Sequence, residues 1–160
     1  AALIGEAGRA CVIGINKWDL LQGKTDKRTF LDWVHQSLPY LTDVPCVFLS
    51  ALTGDNIGRL MHAACDVAFA AQSRIPTPEL NKVLHDAFAD RPPSAPGGKR
   101  LKFFYATQSG VNPPRFILFV NHTERVERAY ELFIQRRLRE AFTLNGTPVW
   151  LSWRSRRSTG

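Results

Sequence analysis

The first half of the chain carries two short apolar runs, each followed by a segment of helical periodicity. Residues 11–15 (CVIGI) and 44–49 (VPCVFL) are apolar and partly β-branched, which is typical of buried parallel strands. Residues 26–37 predict a helix, and apolar positions over 57–71 recur at helical spacing for about four turns. The order strand, helix, strand, helix indicates an α/β fold with a doubly wound parallel sheet.

The second half has a different pattern, which predicts an α+β module. Its elements follow in the order α-β-β-α-β, at about residues 78–88, 100–107, 115–121, 124–142 and 148–153. Residues 92–98 (PPSAPGG) form an irregular loop, since proline cannot continue a helix. In the long second helix, five positions are predicted to face the core: Val126, Tyr130, Phe133, Ile134 and Ala141.

Charge separates the two halves as well. The chain has 21 Lys+Arg and 14 Asp+Glu, a net charge of +7. Residues 1–72 hold 6 basic and 7 acidic side chains, a net of −1, whereas residues 73–160 hold 15 and 7, a net of +8. A proline behind a threonine, Thr77-Pro78, opens a new helix just after this change. We therefore expect two domains, residues 1–73 and 74–160, with the second suited to a polyanionic partner.

Several classes of function are disfavoured by composition. No apolar run approaches the roughly 20 residues that span a bilayer, so no membrane partner is expected. The three cysteines, Cys11, Cys46 and Cys65, match no zinc spacing, and we interpret them as reduced thiols of a cytoplasmic protein. The four histidines pair with no acid or cysteine motif. We predict no metal ligand and no catalytic residue.

Polar segments directly follow the two predicted strands. They are Asn16-Lys17-Trp18-Asp19 after the first and Ser50-Ala51-Leu52 after the second. Open α/β sheets bind ligands outside the carboxyl ends of their strands. The Asp19 carboxylate can accept two parallel N–H bonds from guanine, which adenine cannot supply. Asn16 can brace the two loops, the Lys17 stem can cover a base face, and the Ala51 N–H can donate to the guanine carbonyl. The alternative is an ordinary polar turn after a strand.

The basic second half offers candidate contacts to nucleic acid. These are Lys99, Arg100, Lys102, Arg115 and Arg154. The cluster Arg136, Arg137 and Arg139 is better explained as the solvated face of a helix. Alternation along the strands predicts that most of the aromatic residues of this half are core rather than base-stacking groups.

Six segments together resemble the Der (EngA) family of bacterial GTPases, which have two tandem G domains and a terminal KH-like domain. The segments are residues 6–9 (EAGR), 16–20 (NKWDL), 48–54 (FLSALTG), 77–81 (TPELN), 112–115 (NPPR) and 142–148 (FTLNGTP). The second and third resemble the NKxD and SAx guanine motifs of translation-factor-type GTPases. The resemblance covers essentially the whole chain, and the last three segments distinguish this family from other GTPases.

The resemblance implies a carboxyl-terminal fragment. Residues 1–73 are then the end of the second G domain, a partial P-loop GTPase-type sheet, and residues 74–160 are the KH-like domain. It implies that GTP or GDP contacts Asn16, Lys17, Asp19, Ser50, Ala51 and Leu52. The sequence has no G-x-x-x-x-G-K-[ST] loop and no matched magnesium motif. We therefore expect the Mg²⁺ ligands to lie in the complete protein outside this chain, and this chain alone to be inactive.

The family also implies partners and a process. It implies a GTP-hydrolysing ribosome biogenesis factor that acts on the large ribosomal subunit and its rRNA, and whose KH-like domain packs against its own G domains. No contact with DNA is expected. The chain lacks the GxxG loop with which KH domains clamp a nucleic-acid backbone. Two alternatives therefore remain for the second domain: a non-enzymatic RNA-binding module, and a protein-docking module.

Overall fold

The computed structural model describes residue 4 and residues 7–38, 43–93 and 100–156. In the first part of the chain, strand β1 (Ile13–Ile15) pairs in parallel with strand β2 (Cys46–Phe48). Helix α1 (Lys27–Ser37) lies between them in sequence, and helix α2 (Ile57–Gln72) follows. Asp26 caps α1, because its carboxylate accepts the backbone N–H groups of Arg28 and Thr29. The predicted α/β class is confirmed, although both strands are shorter than the apolar runs.

The second part consists of helix α3 (Thr77–Asp90), strands β3 (Phe103–Gly110) and β4 (Arg115–Val120), helix α4 (Arg128–Phe142) and strand β5 (Trp150–Ser155). Strand β4 is central: it pairs antiparallel with β3 and parallel with β5. The predicted order α-β-β-α-β is therefore confirmed. Both helices pack on one face of the sheet around fully buried side chains, among them Leu80, Leu84, Phe116, Leu118, Ile134 and Leu138.

The predicted inner face of α4 is wrong at Ala141, and Val126 precedes the helix rather than lying in it. Tyr130, Ile134 and Leu138 are buried at steps of four residues, whereas Ala141 is exposed. The predicted helix also began too early: a separate 3-10 turn (Thr123–Arg125) precedes α4, which starts only at Arg128. The stripe of core side chains therefore passes through Leu138 to Phe142, which packs against the core, and leaves Ala141 on the exposed side.

Side-chain amides complete the backbone hydrogen bonding around β3. Asn81 accepts from the Ala106 N–H at 2.7 Å and donates to the Ala106 carbonyl at 2.9 Å, as a neighbouring strand would. Gln108 accepts from the Ile75 N–H and donates to the Ser73 carbonyl. Strand β3 is at the edge of the sheet, and Ala106 is fully buried. The Asn81 amide therefore satisfies backbone groups that no neighbouring strand pairs on that side.

The described residues divide into two units. Unit 1 comprises the residues up to Ala71 together with Asn145–Pro148, and unit 2 comprises Gln72–Leu144 and the residues from Val149. The segment Asn145–Pro148 comes between α4 and β5 in sequence, where the sequence pattern assigned it to the second domain. Unit 1 is therefore discontinuous along the chain.

Inside unit 1, the segment Asn145–Pro148 is held through Gly146. Its carbonyl accepts from the Cys11 N–H at 2.8 Å, and its N–H donates to the Asp43 carbonyl at 3.0 Å. A Cβ built on Gly146 would lie 2.7 Å from Cγ2 of Val67, 2.8 Å from the Cys11 carbonyl oxygen and 2.8 Å from Cδ of Pro45. The backbone φ of Gly146 is +72°, so both space and conformation favour glycine at this position.

Membrane-spanning helices and metal centres are not found in the part of the chain that the structure describes. None of the helices there is long and apolar enough to cross a bilayer. The same described residues contain no group of three or more His, Cys, Asp or Glu side chains that could hold a metal ion.

Candidate functional site

Asn16 joins the two polar segments that follow the strands. Its Oδ1 atom accepts from the Lys17 N–H at 2.7 Å and from the Ala51 N–H at 3.0 Å. The first bond accompanies a left-handed backbone at Lys17, with φ 61°. The second bond connects loops that are 35 residues apart in sequence. Asn16 therefore braces the two loops in the way the sequence predicted, and in doing so it occupies the Ala51 N–H.

Trp18 anchors the turn that carries Asp19. The Trp18 N–H donates to the Leu49 carbonyl at 3.0 Å, and its ring is buried 4.3 Å from Phe48 and 5.5 Å from Phe30, measured between ring centroids. This aromatic cluster links the 3-10 turn Trp18–Leu20 to β2 and α1. The side chain of Asp19 is thereby held at the carboxyl ends of both strands by groups that are themselves packed.

One oxygen of Asp19 is left without a hydrogen bond in the part of the chain that the structure describes. Among the described residues, its Oδ1 atom is buried and unpaired. An unsatisfied buried acceptor costs about 1–3 kcal/mol, and more when the group is charged. Such an atom needs a donor that this part of the chain does not supply. An N–H group of a bound ligand would satisfy it.

A tight turn shapes the other wall of the site. Ser50 is buried, with 1% of its surface exposed, and its N–H donates to the Asp55 carbonyl at 3.1 Å. The Thr53 hydroxyl donates to the Asp55 carboxylate at 2.8 Å, which fixes the far side of the turn. Leu52, at the tip, is 89% exposed. Ser50 thus holds the turn, whereas Leu52 projects away from it.

A pocket of about 280 Å³ lies between these segments. Its lining residues are Trp18, Asp19, Gln22, Lys27, Phe48, Leu49, Ser50, Asp55 and Asn56. Of the six predicted site residues, Asp19 and Ser50 line this pocket. Asn16 and Ala51 are joined by a hydrogen bond to each other. Lys17 and Leu52 are exposed. Sequence reasoning missed Gln22, Lys27 and Asn56, whose types carry no motif. Lys27 lies over the Phe48 ring, 5.6 Å from its centroid.

The residues present fit the edge of a guanine base. Guanine offers two adjacent N–H donors, and Asp19 supplies a carboxylate whose buried oxygen is unpaired. The Ala51 N–H, predicted to donate to the base carbonyl, is directed to Asn16 in this arrangement. Donation to a base would therefore require that this hydrogen bond be shared between two acceptors.

The predicted nucleic-acid contacts that the structure describes lie in two places of unit 2. Lys99 lies outside the described residues. Arg100 and Lys102 precede β3, and the side chain of Asn121 bonds the Arg100 carbonyl and the Lys102 N–H. Arg115 and Arg154 are exposed on the sheet, where Arg115 lies over the Trp150 ring at 4.7 Å.

The helical arginines, by contrast, are used in ion pairs. Arg136 pairs with Glu140 at 2.9 Å and Arg137 with Asp90 at 2.8 Å. Such exposed pairs add little stability, but they reduce the positive charge that the helix offers to a polyanion. Arg136 is exposed, as predicted for a solvated face, whereas Arg137 is only partly exposed and the Nε atom of Arg139 is buried.

Comparison with known proteins gives consistent matches over both parts. Residues 74–154 match the family model described as the KH-domain-like domain of EngA bacterial GTPase enzymes, C-terminal. GTPase Der of Syntrophobacter fumaroxidans is 42% identical over 163 residues, which cover 100% of this chain and 36% of that protein. GTPase Der of Streptococcus uberis is 39% identical (98% of this chain, 36% of that protein), and GTPase Der of Thermomicrobium roseum is 37% identical (98% and 35%). The chain thus spans about a third of the length of these curated relatives.

Proposed function

Because the chain belongs to the Der (EngA) family of GTPases, we propose that unit 1 forms the guanine-binding part of a GTP- and GDP-binding protein. The observation that supports this most directly is the buried, unpaired Oδ1 atom of Asp19 at the edge of the pocket. An acceptor left unsatisfied by the described residues is explained by a ligand that brings N–H donors. Guanine brings two on one edge.

Specificity in this proposal comes from Asp19 and its support. The carboxylate accepts from the N1–H and the 2-amino group of guanine, and an adenine edge would leave it unpaired in a partly buried site. Trp18 holds the turn that carries Asp19, while Asn16 holds the two loops at a fixed separation. Lys17, on its left-handed backbone, covers a face of the base with its aliphatic stem.

The proposed activity of the complete protein is GTP hydrolysis. Phosphoryl transfer depends on positioned contacts to the phosphates and to Mg²⁺, and the phosphate loop motif that supplies them is not found in this sequence. This chain therefore contributes the base-binding part and not the residues that act on phosphate. We assign the complete protein to assembly of the large ribosomal subunit in the bacterial cytoplasm.

Replacing Asp19 in the complete protein tests the guanine assignment. Asp19→Asn exchanges one carboxylate oxygen for an amide NH₂ group. This group would face the N–H donors of guanine unfavourably, but it can donate a hydrogen bond to the 2-carbonyl oxygen of xanthine. Loss of two charge-assisted hydrogen bonds, at about 1.5–3 kcal/mol each, predicts at least a 100-fold weaker guanine nucleotide affinity and a gain in xanthine nucleotide affinity. Displacement of labelled GDP by unlabelled GDP and by xanthosine diphosphate measures both affinities.

Asp55→Asn is the matched control. Asp55 lines the same pocket, but its carboxylate already accepts from the Thr53 hydroxyl. We expect this variant to keep its preference for guanine. An Asp19→Asn protein with unchanged preference at this site would refute the assignment.

We propose RNA of the large subunit as the partner of unit 2. The charge of residues 73–160 supports this, since 15 basic side chains face 7 acidic ones. About five phosphate contacts predict that binding to single strands weakens with a log–log salt slope of roughly −3.5. A slope near zero would favour the protein-docking alternative.

A further inference from the structure

One face of the unit 2 sheet is left open by the helices of that unit. The strand side chains that form the core or pack against it, such as Ala106, Phe116 and Leu151, point toward α3 and α4, and their neighbours in sequence point the other way. We call this second set the outer sheet face. Its members are Tyr105 and Thr107 on β3, Arg115, Ile117 and Phe119 on β4, and Trp150, Ser152 and Arg154 on β5.

Aromatic rings on this face remain accessible. Tyr105 is 41% exposed and Trp150 is 39% exposed. Tyr105 lies parallel to Phe119, with centroids 4.4 Å apart and planes inclined by 16°. The second ring, Trp150, lies opposite Arg115 in the register of β4 and β5. Large aromatic side chains that are held in place yet exposed are typical of binding surfaces.

The two aromatic positions lie at opposite ends of the face. Phe119, the partner of Tyr105, is four residues from Arg115 along β4, or about 13 Å at 3.3 Å per residue. The hydroxyl groups of Thr107 and Ser152 lie on the strands between them. The face therefore offers two separated stacking positions with hydrogen-bonding groups between them.

The charged side chains of the outer sheet face are all basic. Strands β3, β4 and β5 contain no Asp or Glu. Arg115 lies over the Trp150 ring, Arg154 is next to Phe119 in the register, and Arg156 follows β5 with its guanidinium 5.5 Å from the Phe104 centroid. Within the described residues, none of these three arginines pairs with a carboxylate. They differ in this from the paired arginines of α4.

We propose that the outer sheet face binds single-stranded RNA, with unpaired bases stacking on Tyr105 and Trp150 and with phosphates contacting Arg115, Arg154 and Arg156. Exposed rings on a flat sheet accept the π-face of any base, and unpaired guanidinium groups neutralise the backbone. This rests on the proposed RNA partner of unit 2 and names its surface and its binding mode. It needs no GxxG loop, which the chain lacks.

Binding of the 160-residue chain to three labelled RNA probes tests the proposal. The probes are a 12-nucleotide oligoadenylate, an abasic strand of the same length, and a 12-base-pair duplex, each measured by fluorescence anisotropy at a fixed salt concentration. The wild-type chain should bind oligoadenylate more tightly than the other two. Tyr105→Ala and Trp150→Ala should each weaken oligoadenylate binding about 10-fold, because each removes one stacking platform.

Conservative variants separate stacking from folding. Tyr105→Phe and Trp150→Phe keep a ring and should bind oligoadenylate within about twofold of the wild type. Neither alanine variant should change binding to the abasic strand, which has no base to stack. Arg154→Gln should reduce the salt slope by about 0.7, whereas Arg136→Gln on α4 should leave it unchanged.

The outcomes distinguish three failures. Alanine variants that bind oligoadenylate like the wild type would overturn the assignment of this face, even if the chain binds RNA elsewhere. Equal losses on the abasic strand would overturn base stacking. A wild-type chain that binds none of the probes would refute the proposal that unit 2 binds RNA. It would not affect the guanine site, which is tested separately by Asp19→Asn and nucleotide competition.

Discussion

Replacing Gly146 with alanine should release the segment Asn145–Pro148 from the rest of unit 1. The added Cβ would lie 2.7–2.8 Å from Cγ2 of Val67, the Cys11 carbonyl oxygen and Cδ of Pro45. Two of these contacts are with backbone or ring atoms, which cannot rotate away. The segment must therefore move, and its movement breaks the backbone hydrogen bonds that Gly146 makes with Cys11 and Asp43.

The magnitude has two parts. Alanine at a φ of +72° costs about 1 kcal/mol relative to glycine, whatever the surroundings. Loss of the two backbone hydrogen bonds adds about 0.5–1.5 kcal/mol each. We expect a total destabilisation of about 2–4 kcal/mol for the docked segment. The loss of the two hydrogen bonds, which the clash causes, contributes half or more of this.

Gly23 provides a matched control. Its φ is +79°, but nothing lies within 4 Å of a Cβ built there, so Gly23→Ala carries the conformational cost without the clash. Hydrogen exchange of the Cys11 amide, which donates to the Gly146 carbonyl, measures the effect locally. Protection of this amide should fall by about 5-fold or more in Gly146→Ala relative to Gly23→Ala, because the two lost hydrogen bonds separate the variants by at least about 1 kcal/mol. Equal protection in the two variants would refute the steric argument.

Three further predictions concern single side chains. Asn81→Ala should destabilise unit 2 by about 2–4 kcal/mol in urea unfolding, because it leaves the buried N–H and carbonyl of Ala106 without the Asn81 amide. Lys82 is exposed, so the control Lys82→Ala should change the free energy of unfolding by less than about 0.5 kcal/mol. Burial raises the pKa of Tyr130, so the folded chain retains a proton that the unfolded chain loses near pH 10. The free energy of unfolding should therefore fall above that pH, and it should fall less steeply in Tyr130→Phe. Burial raises the pKa of Cys46, and iodoacetamide at pH 8 should therefore modify the exposed Cys65 first, as read by peptide mass spectrometry.

The elements were predictable because their signals are local. Residues 11–15 and 44–49 are apolar enough to indicate strands without knowledge of their neighbours, and the Asp26 cap marks the start of α1. Their extent was not predictable, because strand length depends on how many residues find a pairing partner. The error at Ala141 has a related cause: alanine fits either face of a helix, so periodicity alone could not fix its orientation.

The candidate guanine site was partly predictable for the same reason. Asn16, Asp19 and Ser50 follow strands at fixed spacing, so motif and position coincide. The unpaired oxygen of Asp19 and the diversion of the Ala51 N–H to Asn16 depend on how two distant loops pack, and no local pattern encodes them. The sequence pattern did not separate the outer sheet face from the core. Alternation along a strand assigns side chains to two faces of a sheet but does not show which face the helices cover.

The discontinuity of unit 1 also sets an order of events during synthesis. A chain made from its amino end completes α2 by Gln72, yet the segment that fills the space beside Cys11 and Val67 ends only at Pro148. The ribosome must add about 77 residues after Ala71 before that segment exists, which takes roughly 4–15 s at about 5–20 residues per second. During this interval the nascent first unit lacks the carbonyl that accepts from the Cys11 N–H and the backbone that lies against Val67.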